Sequence, residues 1–325
     1  MSQLKTNSIT NIGNTGDPNI VLGDSGDVQV QSLNSGPLGG MRSQIINGDL
    51  TVSQRIGFNS YSTGISNVYT ADRWFFYISS GVGDVRIRTQ NQMWSTAADQ
   101  GLNGSLQVAN ATGAYSIRQA IEIPITGTPG KFVEGSTWTV SLYSQVQPSV
   151  NVTWSEGIQP GSGNFKNIVT QPNMVSLGND RWSHTFTIGA SDGPLANSNC
   201  LMVSFNTVAD QTQNNQFEGF QLESGSVATP FEHRPIGTEL ALCQRYFQTV
   251  DHLALTMSQP SNTALRRLSC PRTVTMRVTP TESATTNSGT TSFPNSSATN
   301  IGALNSTAAN TSQVLLTNYT ADAEL

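Results

Sequence analysis

Three histidines, His184, His233 and His252, are the side chains best suited to moving a proton near neutral pH. A general base also needs a positioned neighbour, and the sequence offers none: His184 falls on an expected strand beside Trp182, His233 follows Phe231-Glu232 in a turn, and His252 follows Asp251. Gly23-Asp24-Ser25 has the form of a nucleophilic-serine turn, but no helical pattern follows it and no Asp-x-x-His block lies near the C-terminus. Glycoside cleavage would need two carboxylates facing each other about 5–10 Å apart. Glu122, Glu134, Glu156 and Asp180 qualify by residue type alone, and the repeat of about 20–25 residues expected of a parallel β-helix is not found. The expectation is a protein that is not an enzyme. Binding without chemistry is better supported. Sugars are held by aromatic rings flanked by amides and carboxylates, and Trp94 among polar neighbours and Tyr143, opposite the apolar alternation of its strand, are of that type. Each is read as either a sugar platform or ordinary core. Arg266 and Arg267, with Arg272 and Arg277, either hold an acidic sugar or pair with acids of a neighbouring subunit.

These side chains must be positioned by a chain of 325 residues in which only 11% are charged and 29 are Gly. An average chain carries about 25% charged residues. The composition favours short strands and polar turns over solvent-facing helices, so an all-β protein is expected. Three Lys and thirteen Arg against 21 acids give a net charge of -5, which excludes a nucleic-acid footprint at the level of the whole chain. No apolar run reaches the roughly 20 residues that span a bilayer, so no membrane insertion is expected, and the N-terminus has no signal-peptide pattern. Cys200, Cys243 and Cys270 are odd in number and widely spaced, and imply neither a disulfide framework nor a zinc site.

Four segments follow. Residues 1–42 lack a core of their own and contain one hairpin, Ile20-Val21-Leu22 against Val28-Gln29-Val30 across an Asp-Ser-Gly-Asp turn. A lone hairpin is marginal in water, so this segment reads as an attachment or an intertwined stem. Residues 43–233 hold all five Trp and alternate with period two in Trp138–Val146, Val150–Trp154, Val85–Thr89 and Leu201–Phe205, the pattern of a jelly-roll β-sandwich. Residues 234–250 read as a connecting helix capped by Thr238, with Leu240, Cys243 and Phe247 on one face. Residues 251–325 read as a small C-terminal β domain, in which a Ser/Thr-rich stretch precedes the apolar strand Val314-Leu315-Leu316.

Ile45-Ile46-Asn47-Gly48-Asp49-Leu50-Thr51-Val52-Ser53-Gln54-Arg55, followed by Tyr69-Thr70-Ala71-Asp72-Arg73-Trp74, resembles the opening of a domain common in bacteriophage tail fibres and other virion appendages. Phe217–Arg234, running into Leu240–Phe247, is similar to its closing strand, and Tyr319–Leu325 to the ends of such fibres. The segments Leu4–Ile9 and Ile20–Gly23 are similar to the starts of cyanophage structural proteins. The resemblance implies a jelly roll like that of carbohydrate-binding modules, carried on a homotrimer. It further implies a virion location after synthesis in the host cytoplasm, docking of the N-terminus on tail or neck proteins, and host-surface polysaccharide as partner. No cofactor is required, but the family often holds a structural Ca²⁺ at positions that match Asn47, Asp49 and Glu218 here. The alternative is a capsid or neck decoration protein whose sandwich is purely structural.

Overall fold

The computed structural model describes residues 8–9, 20–22, 28–30, 41–59, 61–89, 101–157, 164–207, 214–256, 263–286, 290–294, 296–308 and 313–324. The expected hairpin forms: β2 (Ile20–Leu22) runs antiparallel to β3 (Val28–Val30), with Ile20 opposite Val30, and β1 (Ser8–Ile9) adds a third strand to it.

Thirteen strands build the body: β4 (Tyr61–Ile65), β5 (Val68–Tyr69), β6 (Phe75–Ile78), β7 (Gly83–Thr89), β8 (Gly104–Ala109), β9 (Tyr115–Glu122), β10 (Thr137–Ser144), β11 (Ser149–Ser155), β12 (Phe165–Val169), β13 (Val175–Gly178), β14 (Arg181–Thr187), β15 (Cys200–Asn206) and β16 (Asn215–Ser224). They form a seven-stranded sheet in the order β13-β14-β10-β16-β8-β7-β4 and a six-stranded sheet in the order β12-β11-β15-β9-β6-β5. The period-two alternation decides which side chains fill the space between them. Trp138, Val140 and Leu142 of β10 face Val150, Val152 and Trp154 of β11 in one core with Trp74, Phe205, Phe217 and Phe220. The Trp74 and Phe220 rings pack 4.2 Å apart, and Phe132 and Trp138 4.4 Å apart. The protein is all-β, and this body is a jelly-roll sandwich.

Helix α1 spans Ile236–Gln244 and is shorter than the pattern suggested. Pro235, not Thr238, occupies the cap, no side chain caps the helix, and the Thr238 amide already donates to Pro235 inside the first turn. The helix ends because the backbone of Tyr246 accepts the amide of Ala323 and Phe247 opens the next strand. That strand, β17 (Phe247–Thr256), is followed by β18 (Thr263–Pro271), β19 (Thr281–Thr286), β20 (Thr290–Ser292), β21 (Asn300–Ala308) and β22 (Gln313–Asp322). Two three-stranded sheets result, β17-β22-β19 and β18-β21-β20. The closing apolar strand finds a neighbour on each side, and Met276, Ile301, Phe293, Tyr319 and Ala321 form a small core between the sheets. Cys200 and Cys243 are buried, and burial pushes the Cys200 thiol up to about 12.

Candidate functional site

The Asn47-Gly48-Asp49 turn is built from its own side chains. Asn47 sits at φ 57° in the left-handed region, where Asn is tolerated better than most residues. Its Nδ2 donates to the carbonyls of Val52 (2.8 Å) and Asp72 (2.9 Å), its Oδ1 accepts the Val52 amide (3.0 Å), and its backbone amide donates to Glu239. The Trp74 indole donates to its carbonyl at 2.8 Å. Gly48 must be glycine, since a Cβ there would lie 2.1 Å from the Phe220 carbonyl oxygen. The Asn47 side chain thus braces the loop through the backbone of Val52 and Asp72, while its backbone amide ties the loop to Glu239 of α1. Asn47→Ala is expected to remove about 3 kcal/mol of stability, because it leaves buried backbone groups of Val52 and Asp72 without partners in a conformation Ala tolerates poorly. Chemical denaturation reads this as a lower midpoint, and an unchanged midpoint would reject the bracing role.

The two carboxylates stand differently. Asp49 accepts the Asn103 amide and the Asn103 side chain, both at 2.8 Å, and His233 Nδ1 lies 3.9 Å away. Glu218 is fully buried, and among the described residues neither of its oxygens has a hydrogen-bond partner. Burial, and then the Asp49 charge, push its pKa up to about 9. A buried carboxyl of this kind holds either a proton or a cation. Orphaned hard oxygens beside a second carboxylate fit a hard divalent ion.

Tyr143 pairs with Glu218 across the sheet, at a register shift beside Gly219 (φ 60°). Its ring is buried, not a solvent-facing sugar platform: Leu102 and Phe231 cover it, and it lies against Gly219. Trp94 lies outside the described residues. Arg266 and Arg267 lie on β18 opposite Asn305 and Leu304, and their side chains are outside the description. Arg272 is internal, donating to Glu282 (2.7 Å) and to the Tyr319 hydroxyl (2.9 Å), and Arg277 donates to the carbonyls of Ala323 and Glu324.

Two features were not anticipated. The first is a joint in which the separate sequence motifs meet. Arg73 is buried, donates to Glu324 and to the Ala120 carbonyl, and stacks 3.5 Å from the Tyr246 ring centroid. Arg55 stacks on Phe247 (3.7 Å) and bridges Asp322 (2.9 Å) and Glu324 (3.2 Å). The second is a cleft of about 430 Å³ in the C-terminal sandwich, lined by Thr279, Ser283, Ser292 and Ser296 with the Phe293 ring and Glu282. Glu282 is fixed by Arg272 and by the Tyr319 hydroxyl, which donates to it.

No protein-family model matches the chain, and no curated protein matches it. Among solved structures, the chain is similar to the CBM22-1–GH10 modules of Clostridium thermocellum endo-1,4-β-D-xylanase 10B complexed with xylohexaose, at 10% identity and TM-score 0.30, over 51% of this chain and 28% of that one. It is similar to TmCBM61 in complex with β-1,4-galactotriose, at 12% identity and TM-score 0.28, over 47% and 88% of the two chains. It is also similar to an apo cyclase from Fischerella sp., at 13% identity and TM-score 0.25, over 55% and 96%. The chain thus spans less than a third of the first of these structures, and at such scores the likenesses assign it no ligand and no activity.

Proposed function

We propose that this chain is a non-enzymatic attachment protein of a bacteriophage virion, a homotrimeric tail fibre that holds host-surface glycan without cleaving it. The observation that carries the glycan part of this reading is the C-terminal cleft, where one aromatic ring and several hydroxyls line a hollow of about 430 Å³. That volume lies within the usual range of small-ligand sites, and the lining offers a sugar ring both an apolar face and polar partners. The fibre part rests on the sequence resemblance. It is supported by the joint, because the opening motif at Arg55 and Arg73, the block ending in Tyr246-Phe247 and the closing residues Asp322 and Glu324 are one contact set rather than scattered matches. In this reading the N-terminal strands dock on tail or neck proteins, and a Ca²⁺ held by Asp49 and Glu218 stiffens the sandwich. Three weak sugar sites on one trimer act together through effective concentration.

The test is saturable binding of full-length protein to intact bacterial cells, with washed surface polysaccharide as competitor. Phe293→Ala is expected to weaken binding about tenfold, the scale of losing one anchoring aromatic contact. Ser283 is exposed at the cleft, so Ser283→Trp should obstruct it without disturbing the core and give the same loss at an unchanged melting temperature. Wild-type binding by both variants would reject the cleft. A mass near 34.7 kDa in light scattering would reject the trimer. Release of reducing sugar from the polysaccharide would reject the non-enzymatic reading, and no cell binding by a trimeric sample would favour the decoration role.

A further inference from the structure

A second cleft, of about 400 Å³, lies between the end of α1 and the face of β9, and four cations line it: Arg73, Lys131, Arg234 and Arg245. Three of them have acids of their own. Arg73 is paired with Glu324, and Arg234 with Glu232 and Glu239 at 3.4 Å. Arg245 holds Glu122, to which the Tyr246 hydroxyl also donates, through Nε and Nη2. Its Nη1 takes no part in these bonds, and the side chain is 40% exposed. Lys131 differs from the other three. Among the described residues its ammonium donates only to the neutral Gln44 Oε1, and it sits in an exposed residue of the cleft lining.

We propose that this cleft binds the anionic group of an acidic sugar, a pyranose bearing a carboxylate or sulfate, between Lys131 Nζ and Arg245 Nη1. The ammonium is the side of the site most in need of an anion. Partial burial, and then the Arg234 charge, hold Lys131 below the ordinary lysine range, and an incoming negative group opposes both. Each contact would be a charge-assisted hydrogen bond from a donor that still has free N–H groups. Ile121 and Leu242 supply apolar wall beside the charges, which suits the C–H face of a ring more than it suits a fully hydrated inorganic ion. The site does not depend on the C-terminal cleft, which is lined by hydroxyls and Phe293 instead.

Calorimetric titration of the full-length protein with trigalacturonate, a sulfated galactotriose and neutral galactotriose tests the proposal. At least one acidic trisaccharide is expected to bind about tenfold or more tightly than the neutral one, and to weaken as ionic strength rises. Binding of only one of the two identifies the anionic group. Lys131→Gln should lose about tenfold in affinity at an unchanged melting temperature, whereas Lys166→Gln, on β12 away from the cleft, should bind as wild type. Equal affinity for acidic and neutral sugars, wild-type affinity of Lys131→Gln, or no acidic binding at about 10 mM ligand would each overturn it. A Phe293→Ala protein that loses cell binding yet still takes trigalacturonate separates failure at one cleft from failure at the other.

Discussion

Arg73→Met is expected to lower the melting temperature by about 6–12 °C. Arg73 is 1% and Glu324 4% exposed, so the methionine would leave a carboxylate in a place water does not reach. Breaking a buried pair from one side costs about 3–5 kcal/mol. The lower end applies here, because Glu324 keeps a second cation, Arg55, at 3.2 Å. Burial pushes the Arg73 pKa down, and the groups around it, Glu324 foremost with Tyr246, Tyr69 and Cys243, together more than offset that, so the guanidinium is held in its charged form. The same substitution frees the Ala120 carbonyl and strips the cation from the Tyr246 face, so the C-terminal sandwich should loosen from the body before the body unfolds. A double-mutant cycle of Arg73→Met with Glu324→Gln should give a coupling above about 1 kcal/mol. Additive effects would mean that the joint is held by Arg55, Phe247 and the backbone bonds alone.

This joint shows where sequence reading runs out. The alternation in β7, β10, β11 and β15 was legible because a half-buried strand must place every second residue in the core, and those four strands form where the pattern puts them. Arg73 and Glu324 are 251 residues apart, and nothing local marks either one as the partner of the other. Tyr143 illustrates a related limit. Alternation correctly puts it on the outer face of its sheet, but the face is roofed by Leu102 and Phe231, and period two is silent on what a loop lays over a strand. Phe247 continues the helical spacing of Leu240 and Cys243, yet it belongs to β17, because pairing with Asp322 of β22 is worth more than another half-turn of an uncapped nine-residue helix. At Asn47 the residue type suits a ligand and a loop brace equally. The positive φ and the three side-chain bonds make it a brace, and only the fold supplies them.

Glu218→Gln is the second large prediction, and it separates proton from cation at the same carboxyl. In protein kept in chelator, a carboxyl raised from 4.5 to about 9 by burial, and then by Asp49, makes folding oppose ionisation. Below pH about 4.5 both the folded and the unfolded chain hold the proton, and the group contributes no pH dependence. Between about 4.5 and 9 the unfolded chain has released a proton that the folded chain retains, so stability falls as pH rises, by at most about 1.4 kcal/mol per pH unit. Glutamine is neutral throughout and keeps nearly the same shape. The variant should therefore match wild type at pH 4 and exceed it at pH 8, by up to several degrees in melting temperature. Added Ca²⁺ is expected to reverse the order. A cation bound by Asp49 and Glu218 would stabilise wild type by about 2.7 kcal/mol at a hundredfold excess over its dissociation constant, and would leave Glu218→Gln almost unmoved. If calcium raises neither protein while the pH difference persists, the carboxyl is a buried acid that keeps its proton, and the cation is withdrawn. If the variant is less stable than wild type at pH 8 in chelator, then Glu218 is ionised and held by partners other than a proton, and the assignment of Asp49 as its repelling neighbour fails with it.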